Sequence, residues 1–239
     1  MMDGSDTARQ PDSLATELVG GDELRAEQAL IAAAARLLRG DNPDVPEGFV
    51  ASLFSHAVPE DLMQLDARQI AALGAGAWSL LSRRQPGAPL IRFETAPAMA
   101  SPGHPRSSSI LEIVNDDMPF LLDSVLGELA ERGIGIRFVV HPIFSVERDA
   151  AGRLLAFKGR EPTPGALRES FIHIHTERVE EEPRRADVAA ALEGVLADVR
   201  VCFQDWRAMM ARVADVIADL KLAPPPLTGE EVAEAIAFL

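Results

Sequence analysis

The chain is predicted to adopt an α+β fold: an antiparallel-dominated sheet of about four strands with helices packed on one face. A small helical layer precedes the sheet and a long helix follows it. Three observations predict this. Apolar residues recur at helical spacing up to about Arg84, then alternate from Leu90 onward. A strand–helix–strand unit is written between Ser108 and Val146, and from Pro183 one helical period runs unbroken to the prolines at 224–226.

Length and composition set outer limits. With 239 residues, 47% apolar and 25% charged, the chain has the balance of an ordinary globular protein. A net charge of −14 excludes sequence-independent binding to nucleic acid, which needs clustered Lys and Arg, and disfavours an anionic membrane surface. The apolar stretch Ala29–Leu38 is interrupted by Arg36 and is too short to span a bilayer. Cys202 is the only cysteine, so no internal disulfide can form, and Met1–Ser13 is too polar for a secretory signal. A cytoplasmic location is expected.

Residues 1–18 read as a polar, disordered tail. The helical layer follows over 19–86. Leu24, Ile31, Ala34 and Leu38 share a helix face, and Gly40 stops that helix. Pro46 and Pro59 open two short helices, and Asp66 caps a fourth that runs to about Arg84. Gly74 and Gly76 do not make a dinucleotide fingerprint. No strand precedes them, and Ser79 stands where a third glycine is needed. Small residues at a close helix contact are the better reading.

The α/β domain is expected over 87–180. Its strands are Leu90–Thr95, Ser108–Asn115, Gly135–Val146, Arg153–Phe157 and Glu169–Thr176, with a Pro-rich loop over Ala96–Arg106. A helix is expected from Met118 to Arg132, with Pro119 in its first turn and Gly133 ending it. The remainder, 181–239, is the long helix and the start of a further helical segment capped by Thr228 and Glu231. That last helix is still in amphipathic rhythm at Leu239, so the chain reads as cut.

The candidate site residues lie where the first strand of the crossover meets its helix. Asn115, Asp116 and Asp117 can cap the helix or receive an effector's ammonium group, and Pro119 and Phe120 complete the turn. His173 and His175 share one strand face opposite Ile172 and Ile174, and His141 lies on another strand. A three-histidine metal site lacks a fourth ligand, so an interface role is preferred. No catalytic, cofactor-binding or metal residue is assigned, and Cys202 is read as core. The two strands of the crossover should be parallel partners or near neighbours.

The stretch Ile110–Asp149 resembles the ACT domain, a small regulatory βαββαβ fold. Still closer is the N-terminal region of the large NAD-specific glutamate dehydrogenases. Asp116-Asp117-Met118-Pro119-Phe120, Asp123-Ser124, His141-Pro142, Arg148-Asp149, Glu169-Ser170 with His173 and His175, and Asp205-Trp206 with Met209 carry that resemblance. It implies a parent enzyme that converts L-glutamate and NAD to 2-oxoglutarate, ammonia and NADH. This chain would be its non-catalytic regulatory or scaffolding portion and would bind no cofactor itself. The alternative is a free-standing amino-acid-binding ACT module of another metabolic enzyme. Expected partners are the parent's remaining domains, a homo-oligomer and, if the role is allosteric, an amino-acid effector. Two departures matter. Phe120 stands where ACT domains that bind amino acids usually have glycine, and the helix after Glu169–Thr176 leads away instead of returning to a fourth strand, for which Leu90–Thr95 is a candidate. From Val188 to Leu220 the long helix is about 50 Å, nearly twice the roughly 27 Å of an eight-residue strand, so it must overrun the sheet.

Overall fold

The computed structural model of the protein describes residues 11–95, 108–223 and 225–238. The expected Ala96–Arg106 loop, and residues 1–10 of the expected tail, lie outside them. Helix α1 spans Pro11–Asp41, so the remainder of that tail is helical. It is followed by α2 (Phe49–Leu53), α3 (Pro59–Leu62) and α4 (Ala67–Leu81). Asp66 caps α4 as expected. Its side chain accepts from Gln69 N at 2.8 Å, and the Gln69 side chain accepts from Asp66 N at 2.7 Å.

The sheet comprises β1 (Leu90–Thr95), β2 (Ser108–Asp116), β3 (Ile136–Val140), β4 (Ile143–Arg148), β5 (Leu154–Phe157) and β6 (Leu167–Glu177). Helix α5 (Leu121–Glu131) joins β2 to β3, and α6 (Glu182–Leu222) and α7 (Gly229–Phe238) follow the last strand. Every pairing is antiparallel, in the order β1-β2-β6-β4-β5, with β3 also on β6. Six strands form the sheet where about four were expected, and the five segments read from the sequence become six by one division. The strand expected over Gly135–Val146 is divided at His141-Pro142, where proline has no N–H to give the ladder. The strand expected over Arg153–Phe157 is β5, paired with β4 at the edge of the sheet. The crossover strands β2 and β3 run parallel to each other as near neighbours, with β6 between them in a split βαβ arrangement. Leu90–Thr95 does supply the strand beside β2.

Helices on one face were expected; the sheet is covered on both. Strand alternation gives each face its own core. Leu111, Ile113, Ile172 and Ile174 pack with Leu121, Val125 and Leu129 of α5 and with Val188, Leu192 and Leu196 of α6. On the other face Val114, Val140, Phe144 and Phe171 meet Phe49, Phe54, Leu62 and Ile70 of the helical layer. Phe49 stands edge-on to Trp78 at 5.0 Å and to Phe157 at 5.4 Å, tying α2, α4 and β5 together. Each such fully buried side chain contributes about 1.5–3 kcal/mol. The helical layer and α6 thus lie on opposite faces of the sheet. Gly74 confirms the packing reading: an added Cβ would stand 3.0 Å from Leu38 Cδ2, where α4 crosses α1.

Candidate functional site

The residues proposed from sequence separate into three places around the sheet. The first is the end of β2. Asn115 and Asp116 do not cap a helix; they anchor a network of arginines. Arg84, 2% exposed, donates to Glu169 Oε1 at 2.6 Å and also to Asp116. Arg148 grips Glu169 with two bonds of 2.7 Å and donates at 2.9 Å to the Leu81 carbonyl. Arg200 of α6 reaches Asp116 at 2.8 Å and Asn115 Oδ1 at 3.0 Å. Asp116 and Glu169 are direct cross-strand partners and would repel each other, were Arg84 not between them. Burial pushes the Asp116 carboxyl up, but Arg84, Arg200 and the Gly87 N–H together hold it below its ordinary value. Asn115 Nδ2 is buried with no hydrogen-bond partner among the described residues.

The second place is the mouth of α5. The helix was expected from Met118 with an Asp cap. It begins at Leu121, and its N-cap is Phe120, with no side-chain bond to the free N–H groups. The Phe120 backbone sits at φ 66° and ψ 3°, the geometry a type II turn gives the residue after proline. Its ring is 73% exposed. Asp117, Pro119, Phe120, Asp123 and His141 line one open cleft of about 600 Å³. There His141 Nε2 stands 2.6 Å from Ser170 Oγ. Burial lowers the pKa of His141, against the pull of Asp117 and Asp123.

The third is the sheet face beneath the helical layer. His173, fully buried, bonds Glu112 Oε1 through Nδ1 at 3.0 Å and His175 Nε2 through its own Nε2 at 2.9 Å. Arg92 completes the chain, donating through Nε to Glu112 at 2.9 Å and through a terminal nitrogen to the Gly76 carbonyl at 2.7 Å. Burial, reinforced by the neighbouring His173 ring, pushes His175 down to about 3. Burial raises the Glu112 carboxyl, and His173 and Arg92 more than reverse that. His141 bonds Ser170 and lines the α5 cleft, so the three histidines share no ligand geometry. Phe138 packs its ring on both His173 and His175.

Sequence reasoning missed Arg84, Arg92, Arg148, Arg200 and Glu112 as site residues. A charge set in an apolar strand, as Glu112 is in Ile110–Val114, signals a buried partner. Nothing local reveals that the partners arrive from elements far apart in the chain. Cys202, read as core, is exposed on α6. Gly74 and Gly76 lie inside α4 with no strand before them, so the residues present do not form a dinucleotide phosphate turn.

The family model described as "Glutamate dehydrogenase, ACT1 domain" matches residues 49–192. An NAD-specific glutamate dehydrogenase of Halomonas elongata is 30% identical over 79% of this chain, and its Pseudomonas aeruginosa counterpart is 28% identical over 80%. The NAD-specific glutamate dehydrogenase of Mycobacterium tuberculosis is 29% identical over 46% of the chain. The chain spans 12% of the length of the first two relatives.

Proposed function

The chain belongs to the glutamate dehydrogenase ACT1 domain family, and from that premise we propose that it is a non-catalytic scaffolding segment of an NAD-dependent glutamate dehydrogenase. The reaction of the whole enzyme would be oxidation of L-glutamate by NAD to 2-oxoglutarate and ammonia. This segment would hold other parts of the enzyme in place.

One observation carries the scaffolding reading over a regulatory one. Two acceptors that could receive an amino acid's ammonium group at the β2–α5 junction, Asp116 and Asn115 Oδ1, are already engaged. Asp116 is held by Arg84, Arg200 and Gly87, and Arg200 also holds Asn115 Oδ1. Phe120 puts a side chain where a ligand would need to approach bare backbone. A regulatory reading retains one support, the open cleft in which Asp117 and Asp123 could face an ammonium group. Calorimetry of the 239-residue chain with a panel of L-amino acids, and separately with NAD, tests the choice. No saturable heat is expected. Saturable binding of an amino acid would replace the scaffold by an effector module, and saturable binding of NAD would overturn the non-catalytic assignment.

A further inference from the structure

Between the mouth of α5 and the middle of α6 runs an apolar groove of about 480 Å³, lined by Phe120, Val195, Val199, Cys202, Phe203 and Trp206. It belongs to a longer pattern. On α6 the series Val195, Val199, Cys202, Trp206, Met209 and Val213 advances in alternate steps of four and three, the spacing with which one helix packs along another. The distal end of α6 already packs on a helix, α7. Val213, Ile217 and Leu220 of α6 are half-buried, as are Val232 and Ile236 of α7. Toward the sheet the same seam is bare, with Trp206 55% and Met209 59% exposed.

Phe120 closes the near wall at a cost. A non-glycine residue in the left-handed region loses about 1–2 kcal/mol. Here that strain holds a large aromatic ring in solvent, which is a feature of binding surfaces. The charges around the groove select its occupant. Asp198 on the rim and Asp123 in the adjoining cleft are exposed, and neither forms an ion pair among the described residues. The chain carries −14 in all, so a second copy would bring like charge while a cationic partner would be drawn in.

We propose that this groove is the docking site of an amphipathic helix with Lys or Arg along its flanks, extending toward the sheet the helix-on-helix packing that α7 begins. The proposal rests on the scaffold reading and deepens it by stating what kind of partner is held. The thioethers of Met209 and Met210 suit such a surface, since they adapt to the shape laid against them.

Trp206 reports on the groove directly, because the other tryptophan, Trp78, lies in the helical layer. The 239-residue chain is titrated with a synthetic helix bearing Leu in a heptad seam and Lys on its flanks. A Glu-flanked helix with the same seam and a scrambled Lys peptide serve as controls. The Lys-flanked helix should shift Trp206 emission to the blue and saturate, with the Glu-flanked helix at least tenfold weaker. Phe120→Gly, which relieves the backbone and so preserves the melting temperature, should weaken binding at least tenfold. Absence of binding, or equal binding of either control, overturns the proposal. So does a dimer of the chain alone, seen by sedimentation, that Phe120→Gly and Trp206→Ala dissolve, since the groove would then take a second copy. Calorimetry with amino acids is independent of these readouts, so a failure of the scaffold reading would be seen separately.

Discussion

Glu169 stands between two buried guanidinium groups, and its side chain, like that of Arg148, has no exposed surface. Removing it would leave Arg148 buried without a counter-charge and Arg84 with Asp116 alone. Breaking a buried pair in this way typically costs about 3–5 kcal/mol. Glu169→Ala should therefore unfold the protein or lower its denaturant midpoint severely, whereas Lys158→Ala, at an exposed pair with Glu147, should change stability by less than about 1 kcal/mol. Equal effects in urea titrations would contradict the network. His175 sets the acid limit. Its folded value of about 3 lies below the 6.5 of an unfolded histidine, so the unfolded chain binds a proton that the folded chain refuses. Stability is then full above about pH 6.5 and is lost as pH falls toward 3, by about 2 kcal/mol on reaching pH 5. His141, also lowered by burial, acts in the same direction. Urea midpoints of His175→Gln and the parent chain at pH 7 and pH 5 check this. The variant should show the shallower dependence.

Among the elements, α5 gives the cleanest test of register. Leu121, Val125 and Leu129 are buried on one stripe, four residues apart, and Asp123 is exposed. Val125→Asp buries an unpaired charge and should abolish cooperative melting, while Asp123→Ala should leave the melting temperature nearly unchanged. The reverse order would mean that the helix faces the other way. Spacing made α4, α5, α6 and the strand segments recognisable, although β3 and β4 read as one strand, because periodicity records which residues are buried. Leu122, next to Leu121, is partly buried against the same core. The second helical cover on the sheet was not readable, because a strand with apolar residues on both faces looks the same whichever helices reach it. At the site, the sequence offered the right residues with the wrong partners. Asp116 reads as a cap until Arg84 and Arg200, far off in sequence, are seen to meet it.

For the molecule as a whole, α6 is the feature that breaks compactness. Its 41 residues extend about 60 Å, and its fully buried positions end at Leu196. Hydrogen exchange should find amides from Val188 to Leu196 protected close to the global stability and those from Trp206 to Val216 exchanging by local fraying. Uniform protection along the helix would mean that the distal half is covered in solution. The sheet carries a further consequence, in the order of synthesis. Strand β6 lies between β2 on one side and β3 with β4 on the other, yet it is the last strand made. Until residue 177 has left the ribosome, β2 and β4 have no central strand to bridge them. At about 5–20 residues per second, the interval between completing Arg148 and completing Glu177 is roughly 1.5–6 s. During it, the nascent chain presents two unsatisfied strand edges and the Phe144 and Leu111 faces to other chains. A holding chaperone would cover those edges, and a translational pause before Glu177 would lengthen the exposure, whereas one placed after it would not.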